Sequence, residues 1–479
     1  MKFFPNGLKT PVVIKRRGSV PNSFNNPSNN GSYSDTASSS SSSQQIPSTP
    51  SSVPATPTTQ RYSATPNVFQ DLPNELYQSI RSLLVILKAQ SQKVYYNWSV
   101  DESSDPELTW ELYYTNGTTE QLKSLSLIGT SIQVVTERTG THYSLPLINR
   151  DSSLSNFQIF EDNLAFVEPA IALTTNKTTQ LNFLTNLCSL SIFENIAAYK
   201  ALTGTVISTM GMHLPDINII LSSQYNFKDW CEIYIEGKGW TKAWCHINKR
   251  SNVKEGYEPK GKYQIKFYKD IKSNNPTSLS NLICYIPDCD FIQDVFFYNQ
   301  APTFDDSQQF VQNLNSIKIL GDVRFHNLDT ISEEKKSMFS PKRNVSTSSV
   351  KSNSSTNFET KHNGLIIRPI AHMGLPHLDS MIKFIVPVFD VTGKYGRPRR
   401  FNVSRDDKDS LMFGLPRLPH TNYFEINEIA SLLCEKDTLH SRNEIDDPLT
   451  YSMSWVSEYL SALKNAMIDN ESVKEKMNE

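Results

Sequence analysis

Paired cysteines are the first thing this chain lacks. Its 479 residues hold six of them, Cys188, Cys231, Cys245, Cys284, Cys289 and Cys434, and no two form a Cys-x-x-Cys pair. That spacing indicates neither a zinc site nor a disulfide framework. Long apolar runs are missing too: nothing approaches the roughly 20 residues of a membrane helix, and no secretory signal is present. A soluble cytoplasmic protein is the expectation. Charge of one sign is also scarce in excess, with 47 Lys and Arg against 49 Asp and Glu, a net −2. A general nucleic-acid binder would show a strongly basic domain, so direct nucleic-acid binding is not expected. His-Glu-x-x-His, Gly-x-Ser-x-Gly, the P-loop and Gly-x-Gly-x-x-Gly at a helix start are all absent. Neither an enzyme, nor a cofactor, nor a bound metal is expected.

What is present begins with a low-complexity arm. Residues 1–70 are rich in Ser, Pro, Asn and Thr, and the first acidic residue is Asp35. Such a composition buries too little apolar surface to offset its ordering entropy, so the arm reads as disordered. Arg16-Arg17-Gly18-Ser19 fits a basophilic kinase site at Ser19, and Thr49-Pro50, Thr56-Pro57 and Thr65-Pro66 fit proline-directed kinases.

Order is expected from residue 71. Leu76, Ile80, Leu83, Leu84 and Leu87 recur at helical spacing. Strands are expected at 93–100, 109–115, 125–136 and 163–167, then a helix over 181–202 ended by Gly204. Residues 71–215 thus read as strands closed by a helix.

The same order recurs at 225–435. Residues 229–248 hold two alternating runs joined by Glu236-Gly237-Lys238-Gly239, a hairpin signal. Cys231, Ile233, Ile235, Ala243, Cys245 and Ile247 share one face. Trp230, Tyr234, Trp240 and Trp244 share the other, and four large rings there imply a cover, either the first domain or residues 399–433. Strands are expected at 262–269, 281–286, 316–326 and 364–370. A helix follows over 376–386, with Pro376 in its first turn and Pro387 ending it. Residues 327–362 read as a disordered insertion carrying kinase-site patterns at Ser340 and Ser346, and residues 436–479 as an extension with one helix, over 453–468.

Trp240 to Ile247 resembles the opening hairpin of a pleckstrin homology (PH) domain, although another small helix-capped barrel stays open on pattern alone. The stretch 384–397, FIVPVFDVTGKYGR, leads into Pro398-Arg399-Arg400-Phe401. Ser410-Leu411-Met412-Phe413-Gly414-Leu415-Pro416 and 423–433 follow. These motifs are similar to those of the fungal tandem PH-like proteins, across about 71–435. The resemblance implies a mainly β, α+β fold: two PH-like barrels, each closed by a C-terminal helix. Known members include a factor associated with the CCR–NOT deadenylase complex and paralogues at the bud neck and cell cortex, usually with a longer C-terminal tail. The implied function is a non-enzymatic adaptor for protein partners. The alternative is a module that binds phosphoinositides or an anionic membrane surface. For that alternative the candidates are Lys238, Lys242, Lys249 and Arg250. Trp244 stands where a head-group arginine is wanted, which points to weak electrostatic binding.

Overall fold

A computed structural model describes residues 72–426, except 104, 149–155, 161, 212–213, 215–226, 237, 250–262, 270–278, 300–301, 327–357, 362–363, 372–375 and 396–401, together with Asn465 and Ile468. The fold is α+β, two curved antiparallel sheets with helices packed on them. Residues from Asn67 onward form one compact unit.

The first half opens on helix α1 (Asn74–Gln92), whose Leu76, Ile80, Leu83 and Leu87 are buried as their spacing predicts. Eight strands follow: β1 (Val94–Ser99), β2 (Trp110–Tyr114), β3 (Thr119–Ile128), β4 (Ser131–Thr136), β5 (His142–Pro146), β6 (Phe157–Ile159), β7 (Asn163–Phe166) and β8 (Ile171–Thr175). Their order is β5-β4-β3-β2-β8-β7-β6, with β1 paired to β3. Residues 125–136, expected as one strand, turn at Gly129 and Thr130 and belong to two. Helix α2 (Thr178–Met210) closes this half and outruns the expected 181–202. Gly204 does not end it. A Cβ there would meet Leu411 Cβ at 3.0 Å and Met412 Sδ at 3.1 Å, so glycine serves close packing instead.

The second half holds β9 (Phe227–Ile235), β10 (Gly239–Lys249), β11 (Tyr263–Tyr268), β12 (Leu282–Ile286), β13 (Asp294–Tyr298), β14 (Ser316–Leu320), β15 (Val323–His326), β16 (Phe358–Lys361) and β17 (Leu365–Pro369). The short helix α3 (Ser307–Gln312) precedes β14, and α4 (His377–Thr392) ends the series. The order is β13-β14-β17-β9-β10-β11-β12-β15-β16. Strands β14 and β15 stand near opposite ends of that order, yet only Gly321 and Asp322 separate them. Two residues span at most ~10 Å, so the sheet has to curl until its ends approach. Gly321, at φ 145°, makes the connection, where a Cβ would sit 2.9 Å from Ile292 Cδ1. The run 316–326, expected as one strand, is therefore two. Phe358–Lys361, inside the expected insertion 327–362, form β16 against β15.

Inside the curl the alternation holds: Cys231, Ile233, Ala243, Cys245 and Ile247 are fully buried. Ile235, at the end of β9, is only partly buried against that core. Helix α4 covers the core, with Phe384 edge-on to Phe227 at 5.3 Å between ring centroids. It runs past Pro387, which lies inside it, and ends at Gly393 in a left-handed conformation. A proline in mid-helix forfeits one backbone hydrogen bond, and the almost continuous burial of α4 outweighs that loss.

Candidate functional site

The second sheet presents a patterned outward face. Along β9 the outward positions are Lys228, Trp230, Glu232 and Tyr234; along β10 they include Trp240, Lys242, Trp244 and His246. Trp244 lies directly opposite Trp230, edge-on at 5.0 Å, and Trp240 opposite Tyr234, edge-on at 5.6 Å. Cross-strand aromatic pairs of this kind stabilise a sheet. Cations lie over two of the rings: Lys242 Nζ is 4.6 Å from the Trp230 centroid, and Arg368 of β17 is 3.7 Å from that of Trp240. All four rings are half-buried. One row further, His246 stands opposite Lys228 on one side and Lys266 on the other. Burial first, then those two lysines, push its pKa down to about 4.

Of the residues expected to read a lipid head group, the structure places the side chains of two, Lys238 and Lys242. Lys238 sits in the β9–β10 turn. Lys242 faces outward over Trp230. Lys249 ends β10, roughly 30 Å from that turn at the rise of a strand; its side chain, like Arg250, lies outside the described residues. A different basic group gathers near Lys238. Burial lowers the pKa of Lys269, and the Lys238 charge lowers it further; burial and then Lys269 do the same to His326. Ser19, Ser340 and Ser346 also lie outside the described residues. So does the expected helix 453–468, apart from Asn465 and Ile468, which are helical.

The four rings imply a cover, either the first half or residues 399–433. A joint between the halves lies three strands away from β9, where α2 packs on β13. Tyr199 lies against Phe296 and Tyr298, with ring centroids at 6.4 and 5.1 Å. Lys200 pairs with Asp294 at 2.6 Å. The backbone N–H of Phe297 donates to Thr203 Oγ1 at 2.8 Å. Strand β13 is the end strand of its sheet, so its outer N–H groups need partners, and α2 supplies one.

A second contact group was not foreseen. Residues 402–426, which have no regular secondary structure, form a strap against α1 and α2. Glu194 of α2 is 1% exposed. It accepts from Lys93 Nζ at 3.0 and 3.1 Å, from the Tyr95 hydroxyl, and from the Phe424 backbone N–H at 3.1 Å. Lys93 Nζ also donates to the Phe424 carbonyl at 2.9 Å. One buried ion pair thus holds both polar backbone groups of a single strap residue, whose ring packs on Phe193 at 5.9 Å. Burial, then the Glu194 charge, raise the Tyr95 pKa well above its ordinary value. The available signal was that α2 carries only two charged residues, Glu194 and Lys200, in 33. An ionised group in so apolar a helix implies a buried partner.

Among the described residues no thiol is placed as a nucleophile. Cys188, Cys231, Cys245, Cys284 and Cys289 are buried, and burial raises the pKa of each, that of Cys289 to about 12. Among the described residues no helix is long and apolar enough to cross a membrane.

A family model described as fungal PH-like domain matches residues 213–413. A Saccharomyces cerevisiae protein, YJL016W, is 37% identical over 441 residues, covering 82% of this chain and 77% of its own length. The CCR4-NOT transcriptional complex subunit CAF120, from two strains of the same yeast, is 28% identical over 261 residues. That match covers 53% of this chain and only 20% of CAF120, so the chain spans about a fifth of that relative. No solved structure matches.

Proposed function

Because this chain belongs to the fungal PH-like domain family, we propose that it is a non-enzymatic adaptor built from a tandem pair of PH-like units. The first unit is 71–215 and the second 225–435. Its partners are proteins, with subunits of a CCR4–NOT-type complex as the first candidates, by similarity to CAF120. It works in the cytoplasm, at the cell cortex or bud neck. The observation that carries this reading is the outward face of β9 and β10, where three tryptophans and a tyrosine stay half-buried beside Lys242 and Arg368. Trp, Tyr and Arg dominate the energetics of protein–protein contacts.

The test is affinity capture of the tagged full chain from fungal cells, with quantitative mass spectrometry. CCR4–NOT subunits enriched over an untagged control, at levels comparable to the bait, are expected. Their absence, with other complexes equally absent, would sink the adaptor reading.

One observation favours a second reading. Lys238 in the β9–β10 turn, Lys269 just past β11 and His326 at the end of β15 stand along one edge of the antiparallel sheet, and basic groups so placed suit a phosphate. Flotation of the full chain with phosphoinositide vesicles tests it. Exposed charges are screened beyond about 8 Å at physiological salt, so loose attraction to any anionic surface fades there. Retention specific to one phosphoinositide and abolished by Lys238→Ala would establish head-group recognition.

A further inference from the structure

The charges around the ring face are unbalanced in a way that specifies a partner. On the outward positions of β9, β10 and their neighbours β17 and β11, the cations are Lys228, Lys242, Lys266 and Arg368. Among the described residues the single carboxylate at these positions is Glu232, which lies directly opposite both Lys242 and Arg368. Four cations to one carboxylate give these outward positions a net positive charge. His246, between Lys228 and Lys266, senses that field: both lysines add to burial in holding it neutral.

We propose that this face docks an acidic segment of a partner protein. Its carboxylates meet the four cations while its apolar side chains lie against the Trp230–Trp244 and Tyr234–Trp240 pairs. The inference rests on the adaptor reading and adds the partner's chemistry. Two other anionic occupants suit the geometry less well. A single nucleic-acid strand stacks its bases on open ring faces; here Lys242 lies over Trp230, Arg368 lies over Trp240, and the rings meet edge-on. An anionic membrane surface takes up rings that project from it, whereas these lie half-buried in a sheet.

The experiment uses the full chain and a fluorescein-labelled peptide of alternating Asp, Phe and Glu, with its Asn/Gln counterpart as control. Poly(U) and phosphatidylserine vesicles serve as competitors. Expected are binding of the acidic peptide well above the control and a fall in affinity with salt. Lys228→Glu and Lys266→Glu should each weaken it about tenfold, as like charges repel across an interface. Lys228 is exposed, so its variant should fold with an unchanged melting temperature. Lys238→Glu, in the turn, should leave binding intact. Equal binding of the neutral peptide, or equal loss on Lys238→Glu, overturns the proposal. So does poly(U) or vesicle binding through Lys228 and Lys266 when the peptide does not bind. CCR4–NOT recovery that survives both reversals would also overturn it and leave the adaptor reading standing. Peptide binding without any CCR4–NOT recovery would do the opposite.

Discussion

At the scale of single residues, Glu194 shows how unevenly polar chemistry is shared. Its carboxylate serves Lys93, Tyr95 and the Phe424 backbone at once. Removing one partner of a buried pair leaves the other charge uncompensated, at about 3–5 kcal/mol. Glu194→Ala should therefore lower unfolding free energy by that order in urea denaturation. Replacing both partners, as Lys93→Met with Glu194→Gln, should recover much of the loss; no recovery would mean that the pair is not the source. His246 adds a pH dependence. Its folded pKa, about 4, lies below the ordinary 6.5, so between those values the unfolded chain binds more protons. Stability must then fall as pH drops from 6.5 toward 4, and His246→Gln should flatten part of that slope in melting temperature. The sequence showed the inward residues of β9 and β10 plainly, because alternation is local. It could not show that Lys93 meets Phe424, because the two stand 331 positions apart and no periodicity spans such a distance.

Among elements, α2 does the most. Its two charged residues point to different partners: Glu194 holds β1's neighbour Lys93 and the strap, and Lys200 holds β13. Gly204 lets the strap approach. Gly204→Ala gains roughly 1 kcal/mol of helix propensity but tightens the contacts at 3.0 and 3.1 Å, one of them with a flexible methionine, so it should be nearly neutral. Gly204→Val should overpack the site at about 1–3 kcal/mol and free the strap, read as faster limited proteolysis between Asn402 and Ile426. Unchanged cleavage would mean that the strap is held without α2. Element boundaries were least legible where one glycine sits inside an apolar run. Residues 125–136 and 316–326 each looked like a single strand, and Gly129 and Gly321 divide them. Pro387 misled in the other direction, since tertiary burial carried α4 past a residue that usually stops a helix.

For the molecule as a whole, the joint between α2 and β13 makes cooperation between the halves the central expectation. Calorimetry of the full chain should show one main transition. Thr203→Val leaves the Phe297 N–H without its partner, at about 1–3 kcal/mol; combined with Lys200→Ala, it should split that transition in two. Trp244→Ala, on the half-buried ring face, should not. If Trp244→Ala splits the transition and the α2 variants do not, the joint lies at the rings after all. The chain order of these contacts has a consequence for synthesis. Helix α2 leaves the ribosome well before the strap that covers it, with roughly two hundred residues of translation between Met210 and Phe424. At about 5–20 residues per second, that interval lasts about 10–40 s. Throughout it Glu194, Phe193 and Gly204 lack the strap residues Phe424, Leu411 and Met412 that pack on them. Nascent chains stalled before residue 402 should therefore recruit chaperones that chains stalled after 426 have already shed.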